Sequence, residues 1–264
     1  MKKILIFICY IIFATHVYAY ENTYAVIIGV ADYKNDEYIN DLPYTINNTR
    51  AMYSFLRSKA GGNVPAKNIC YLTDANATRA NIIHMAKALF SKAKEGDRVI
   101  FYYGGHGGEG FVTPYDYNGF VETTIYYSDI KAIFKTARCK TKLLFMDSCY
   151  SGAIKKNPIS RNGNMNNIRR NDDRNMNIAV MSACKANEFS WQTSSYEMGV
   201  FTHFLIKGLS GAANSDGNKY ITIKELFHYV YKHVIAETKY YESLQTPELF
   251  GNFDLRLIVA NVNN

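Results

Sequence analysis

Two stretches of the sequence decide the fold: residues 98–108 (RVIFYYGGHGG) and residues 142–152 (KLLFMDSCYSG). Each begins as a run of apolar residues, which is typical of a strand buried on both faces of a parallel sheet. Each then changes abruptly to glycine and polar residues. The carboxyl ends of neighbouring parallel strands meet at one edge of a sheet, where ligands bind in open α/β folds. We therefore expect His106 and Cys149 to lie close together at that edge.

The rest of the chain alternates between short apolar runs and segments with helical periodicity. Further strands are predicted at residues 24–30, 69–72, 178–182 and near 253–259. Residues expected to cap the intervening helices are Asn48, Thr78, Ser128 and Thr222, the last in a capping box with Glu225. Strands that alternate with helices indicate an α/β fold in which a mostly parallel sheet is covered by helices on both faces.

The composition is that of a globular protein. The chain has 264 residues, 48% of them hydrophobic, so it can bury a large core and is neither disordered nor a disulfide-stapled miniprotein. The formal net charge is +7, but residues 154–177 alone carry six basic and two acidic side chains. Because the charge is concentrated in this asparagine-rich segment rather than spread over a folded face, we predict no nucleic-acid partner.

The first 19 residues have the pattern of a secretory signal peptide. Lys2 and Lys3 precede a short apolar run, and Ala19 ends a stretch that suits a signal peptidase. An uncleaved anchor fits less well, because a membrane span needs ~20 apolar residues. The sequence therefore predicts a signal peptide at residues 1–19, a mature chain of residues 20–264, export, and no membrane attachment after cleavage.

Cys149 and His106 form the candidate catalytic pair. A thiol with a pKa of ~8.5 is only slightly ionised near neutral pH, and an adjacent imidazole can activate it as a nucleophile. The glycines around His106 leave room for a substrate backbone, and main-chain N–H groups there can bind an oxyanion. We assign the oxyanion hole to the N–H groups of Gly107 and Cys149.

The two motifs resemble those of a known family. The runs YGGHG at residues 103–107 and DSCYSG at residues 147–152 are similar to the His and Cys motifs of caspase-like cysteine peptidases, above all the prokaryotic and metacaspase-type members. This resemblance implies a three-layer αβα sandwich around a mostly parallel six-stranded sheet. It also implies a cysteine endopeptidase with a His106 and Cys149 dyad, acting on peptide or protein substrates without a cofactor or metal.

The resemblance also divides the mature chain. It implies a large-subunit-like part at residues 20–153 and a small-subunit-like part at residues 178–264, joined by the basic linker at residues 154–177. In metacaspase-like relatives the acidic residue two positions before the cysteine lines a pocket for Arg or Lys, and Asp147 matches that position. The implied cleavage after basic residues would make the linker a substrate for self-processing.

Two other acidic residues are candidates for the same pocket. Glu188 follows the predicted strand at residues 178–182, although the run around it departs from the usual metacaspase pattern. Asp32 follows the first predicted strand and faces the same edge of the sheet. We therefore treat Asp147, Glu188 and Asp32 together as candidate substrate-binding residues.

Alternatives stay open at this point. An enzyme of this fold that cleaves after Asp would need arginines in the pocket, and a catalytically silent module would bind a partner instead. Calcium dependence occurs in some metacaspase-like enzymes, but residues 216–218 (DGN) do not fit a calcium loop. Cys70 and Cys184 are predicted to be packing residues, and Cys139 to lie on an exposed turn. The sequence does not specify the oligomeric state.

Overall fold

The computed structural model describes residues 20–35, 37–149, 177–242 and 244–262. The predicted signal peptide at residues 1–19 lies outside the described residues, as does the predicted linker except for its last residue, Asn177. Within these described ranges, no helix is both long and apolar enough to cross a membrane.

Short strands and helices alternate along the described chain. The strands are β1 (Thr23–Gly29), β2 (Ile69–Thr73), β3 (Arg98–Gly104), β4 (Gly107–Gly108), β5 (Phe111–Val112), β6 (Ile125–Tyr126), β7 (Thr141–Asp147), β8 (Ile178–Ser182), β9 (Gln192–Thr193), β10 (Met198–Gly199), β11 (Tyr220–Thr222), β12 (Glu248–Gly251) and β13 (Ile258–Asn261). The α-helices are α1 (Thr45–Arg57), α2 (Arg79–Phe90), α3 (Tyr127–Lys135), α4 (Val200–Lys207) and α5 (Ile223–Thr238).

A six-stranded sheet lies at the centre, in the order β2-β1-β3-β7-β8-β12. All neighbouring pairs in it are parallel except β12, which runs antiparallel to β8 at one edge. The prediction of a mostly parallel, six-stranded sheet is confirmed. Because β3 and β7 are direct neighbours, the two motifs that follow them are brought to the same edge of the sheet.

Helices cover both faces of the sheet, and the strand periodicity explains how. Successive side chains of a strand point to opposite faces. In β7, Leu144 and Met146 belong to the apolar cluster under α2 and α3, whereas Leu143 and Phe145 belong to the cluster under α1, α4 and α5. The three-layer αβα sandwich is therefore confirmed.

Two of the predicted helix caps are confirmed and two are wrong. The Thr78 hydroxyl caps α2, and Thr222 forms a capping box with Glu225 at the start of α5. Helix α3 begins at Tyr127, one residue before Ser128. Asn48 lies inside α1, where its side chain accepts a hydrogen bond from the N–H of Gly199 instead of capping the helix.

Two further predictions about particular segments are wrong. The last strand of the central sheet is β12, not a strand near residues 253–259, and β13 pairs with β11 in a separate two-stranded sheet. Cys139 is not on an exposed turn: it is 3% exposed, and its thiol donates to the carbonyl of Thr141. Although the basic residues Arg138 and Lys140 flank Cys139, its own side chain faces the core.

Candidate active site

The loops that carry His106 and Cys149 touch at the carboxyl edge of the sheet. Gly104 of β3 and Asp147 of β7 are partners in the parallel register, so His106 and Cys149 each lie two residues beyond it. The N–H of Gly105 donates to the carbonyl of Asp147 at 3.2 Å. A methyl group on Gly107 would lie 2.9 Å from the carbonyl oxygen of Cys149, so only glycine allows this close approach.

Main-chain and tyrosine contacts fix the imidazole of His106. Its Nε2 lies 2.8 Å from the carbonyl oxygen of Asn40, and a carbonyl only accepts. Nε2 therefore carries the hydrogen, and Nδ1 is the ring nitrogen that can act as a base. The N–H of His106 donates to the hydroxyl of Tyr33 at 2.8 Å, and its carbonyl accepts from Tyr103 at 2.8 Å.

Burial keeps this imidazole neutral. Burial lowers the pKa of His106, while the carbonyl of Asn40 and the charge of Asp41 raise it by smaller amounts. A neutral imidazole has a lone pair to accept a proton. His106 is thus in the correct protonation state for a general base.

Cys149 is a half-buried thiol at the start of the turn after β7. Burial is the main cause that raises the pKa of Cys149, and the nearby charge of Asp147 raises it further. The backbone N–H of Ser190 acts in the opposite direction, because it donates toward the sulfur. The thiol of the unliganded site is therefore protonated near neutral pH, and it needs a base before it can attack.

Gly107 and Cys149, the predicted oxyanion-hole residues, lie against one another on neighbouring loops. Gly107 belongs to β4, whose partner across a short antiparallel pair is β5. Ser148 lies between them and is 1% exposed; its hydroxyl has no hydrogen-bond partner within the described part of the chain. The two loops that carry the predicted donors are therefore in contact, and the oxyanion hole itself stays a prediction.

Asp147 is buried beneath the site, with 6% of its surface exposed. One carboxylate oxygen accepts from the hydroxyl of Ser190 at 2.6 Å, and the other accepts from the hydroxyl of Thr202 and, at 3.4 Å, from the side chain of Asn48. Burial raises the pKa of Asp147, and the hydrogen bonds from Ser190 and Thr202 partly offset this. Neutral groups thus hold a carboxylate directly under Cys149.

The other two acidic candidates have different surroundings. The carboxylate of Glu188 accepts from the N–H and the hydroxyl of Thr246 at 2.7 and 3.0 Å, so it ties its own loop to the segment before β12. Asp32 is exposed, and its N–H donates to the carboxylate of Asp74. Of the three candidates, Asp147 is the one that the structure brings into contact with the groups around Cys149.

Sequence reasoning missed the residues that hold the site together. Asn40 and Tyr33 orient His106, whereas Asn48, Ser190 and Thr202 surround Asp147. The clearest local signal was Thr202, which with His203 interrupts the apolar residues at the start of α4, between Phe201 and Phe204. In the ranges that the structure describes, no group of three or more His, Cys, Asp or Glu side chains is arranged to hold a metal ion.

Comparisons with known proteins identify the family of the chain. Residues 22–254 match the family model described as the caspase domain. A probable protease from a Desulfuromonadales bacterium is 24% identical over 271 residues, which cover 86% of this chain. The chain spans about a third of that curated relative's length, 32%.

Solved structures support the same fold. The crystal structure of a Geobacter sulfurreducens protein superposes with a TM-score of 0.62 at 16% identity, covering 88% of this chain and 94% of that one. At this level of identity the likeness concerns the fold alone. The family model covers most of the chain and includes both loops of the site. The chain therefore belongs to the caspase family of cysteine peptidases.

Proposed function

We propose that this caspase-family domain is a cysteine endopeptidase that cleaves after Arg or Lys. The observation that carries the proposal is the carboxylate of Asp147, buried two residues before Cys149 and hydrogen-bonded by the neutral side chains of Ser190, Thr202 and Asn48. A buried charge is unfavourable without a partner of opposite sign. A guanidinium or ammonium group of a substrate would supply that partner through a charge-assisted hydrogen bond.

The reaction follows from the proton positions. His106 Nδ1 takes the proton of Cys149, and the thiolate attacks the carbonyl carbon of the scissile bond. The N–H groups of Gly107 and Cys149 bind the resulting oxyanion. The imidazolium then gives its proton to the leaving amine, and a thioester remains on Cys149. A water molecule, deprotonated by His106, hydrolyses the thioester and regenerates the free thiol.

A panel of fluorogenic peptides that differ only in the residue before the cut tests the specificity. We expect cleavage after Arg and Lys and none after Asp or Gln, in the presence and in the absence of calcium. Cleavage after Asp would refute the proposed specificity. If no peptide is cleaved and a peptidyl electrophile does not label Cys149, the domain is a silent binding module.

Substitution of Asp147 tests the pocket assignment. We expect Asp147→Asn to reduce kcat/KM for the Arg peptide by about 10- to 100-fold, because a hydrogen bond to a charged group contributes ~1.5–3 kcal/mol. Asp32→Asn is the matched control: it removes an exposed carboxylate at the same edge of the sheet, and we expect no comparable loss. Equal losses in both variants, or none in Asp147→Asn, would contradict the assignment.

We further propose that the enzyme cuts its own linker at residues 154–177. Support comes from composition, because six basic residues stand in this segment. Purified enzyme should convert to two fragments on incubation, whereas Cys149→Ala should stay intact until active enzyme is added. Fragmentation of Cys149→Ala alone at the parent's rate would rule out self-processing.

We also propose that the protein is exported after cleavage of residues 1–19. A cut before Tyr20 would leave every described element in the mature chain, including the contact of the Tyr20 hydroxyl with the carbonyl of Ile258 at 2.7 Å. Amino-terminal sequencing of protein recovered outside the cytoplasm should begin at Tyr20. Recovery of uncleaved protein in the cytoplasm alone would contradict export.

A further inference from the structure

Cys184 is a second thiol next to the active site that the proposed mechanism does not use. It is fully buried, two residues beyond the end of β8. Its sulfur lies 3.1 Å from the carbonyl oxygen of Glu188 and 3.4 Å from the carbonyl oxygen of Ser148. A thiol is a weak donor with one hydrogen, which the two carbonyls share, and Cys184 in this way links the nucleophile loop to the segment that precedes Ser190. These directed contacts go beyond the packing role predicted from the sequence.

The carbonyl of Ser148 and the N–H of Cys149 belong to the same peptide unit. A peptide unit is planar, so a contact that fixes the direction of its C=O also fixes the direction of its N–H. This N–H is one of the two groups assigned to the oxyanion hole. Hydrogen-bond donors stabilise an oxyanion strongly only when they already point to the position that it will occupy.

The side chain of Ser148 does not fix this peptide unit. Its hydroxyl is buried and makes no hydrogen bond within the described residues. Cys184 is the side chain that donates to the Ser148 carbonyl in the part of the chain that the structure describes. The orientation of the peptide thus depends on a thiol from the loop that follows the neighbouring strand β8.

We propose that Cys184 is a positioning residue that holds the peptide unit between Ser148 and Cys149 so that its N–H points into the oxyanion hole. The inference rests on the proposed function, in which Cys149 is the nucleophile. The contact with Glu188 adds a second effect, because the same segment carries Ser190, whose N–H faces the Cys149 sulfur. Cys184 therefore aligns the donor of the oxyanion hole with the nucleophile.

Three variants test this role. Cys184→Ala removes the donor, and Cys184→Ser replaces it with a hydroxyl. Cys139→Ala is the matched control, because Cys139 is also buried and its thiol also donates to a carbonyl at 3.4 Å, but it lies before β7, at the opposite end of that strand from Cys149. Each variant is assayed with the best peptide of the panel and with the corresponding peptide aldehyde, which forms a tetrahedral adduct with Cys149.

Complete loss of an oxyanion-hole donor reduces kcat by about 10²–10³. Misalignment of the Cys149 N–H, which keeps the donor but turns it away, should therefore reduce kcat by about tenfold. We expect this loss in Cys184→Ala, with KM changed by less than about twofold and aldehyde affinity reduced in parallel with kcat. Cys184→Ser should recover kcat to within about threefold of the parent, and Cys139→Ala should match the parent.

The outcomes separate this inference from the proposed function. A parent enzyme that cleaves no peptide and is not labelled at Cys149 refutes the function itself. If the parent is active, an unchanged kcat in Cys184→Ala overturns the positioning role, and so does a rise in KM alone, which would indicate packing of the 183–190 segment. If Cys184→Ala does not fold, the comparison of Cys184→Ser with the parent decides. A tenfold loss of kcat in Cys184→Ser with unchanged aldehyde affinity would overturn the proposal, because the hydroxyl would then have failed to replace the thiol as a donor.

Discussion

A chain of three buried groups, Tyr102, Thr202 and Asp147, links the helix α4 to the floor of the site. The hydroxyls of Tyr102 and Thr202 are 2.6 Å apart, and the Thr202 hydroxyl also contacts a carboxylate oxygen of Asp147. An ionised carboxylate only accepts, so Thr202 donates to Asp147 and Tyr102 donates to Thr202. Tyr102 and Thr202 are both fully buried. No water can replace a missing partner in this chain without a rearrangement.

Thr202→Val removes the central hydroxyl while it keeps the shape of the side chain. The variant loses a hydrogen bond to a charged group, worth ~1.5–3 kcal/mol, and leaves the Tyr102 hydroxyl without its acceptor. We expect the free energy of unfolding at neutral pH to fall by about 3 kcal/mol. For a domain of this size that corresponds to a decrease in Tm of about 6–12 °C.

The loss of stability in Thr202→Val should depend on pH, and the surroundings of Asp147 determine whether it grows or shrinks as the pH rises. Burial raises the pKa of Asp147 above its unfolded value, and the Thr202 donor lowers it, so the variant's folded pKa is higher than the parent's. The ionised carboxylate therefore destabilises the folded variant more than the folded parent. This difference disappears at a pH low enough for Asp147 to be protonated in both proteins. The gap in stability should widen as the pH rises through the two folded pKa values.

Thermal melts at the two ends of a pH series, which runs from about the ordinary Asp pKa of ~3.9 to about pH 8, measure this effect. Thr202→Ser is the control, because it keeps the donor and loses a methyl group. We expect Thr202→Ser to melt within a few degrees of the parent at both pH values, because the loss of one buried methyl group lowers the free energy of unfolding by only ~1 kcal/mol. If the serine variant melts as low as Thr202→Val, or if the gap is the same at both pH values, the hydrogen-bond chain does not have the role assigned to it.

Three other outcomes follow from the site. Tyr33→Phe removes the acceptor of the His106 N–H, so we expect kcat to fall by about tenfold while the protein remains folded, as judged by its melting curve. Gly107→Ala should reduce kcat/KM by about 100-fold, because the methyl group would lie 2.9 Å from the carbonyl oxygen of Cys149 and would displace the loop of the proposed nucleophile. Gly96→Ala, where the added methyl meets only the flexible side chain of Glu21, should keep full activity in the same assay. The rate of Cys149 alkylation in the unliganded enzyme should rise with pH through a midpoint above the ordinary cysteine value of ~8.5, and a midpoint below it would contradict the burial argument.

The central strands could be predicted from the sequence because their signal is local. The apolar run at residues 98–103 became β3, and the run at residues 142–146 became β7 with one residue added at each end. A strand buried on both faces leaves a continuous apolar run that few other structures produce. Once two such runs are neighbours in a parallel sheet, the convergence of the loops after them follows from geometry.

The edge strand and the surroundings of Asp147 could not be predicted in the same way. β12 is half exposed and antiparallel, so it leaves no unbroken apolar run. Asn48 has the composition of a helix cap, but its side chain binds Gly199, which is 151 positions away in the sequence. The cap prediction for Asn48 used only its residue type and its neighbours in the sequence. Such local information does not show a contact with a residue so far along the chain.

His106 and Cys149, the proposed catalytic pair, are both affected by their burial. Burial raises the pKa of Cys149 and lowers that of His106, so both shifts disfavour the thiolate–imidazolium pair relative to the neutral thiol and imidazole. The buried charge of Asp147 adds to this, because it repels a thiolate. A cationic substrate side chain that neutralises Asp147 would remove that repulsion at the moment of binding. Substrate recognition and activation of the nucleophile would then depend on the same carboxylate, and a substrate without a basic residue before the cut would lose catalytic rate as well as affinity.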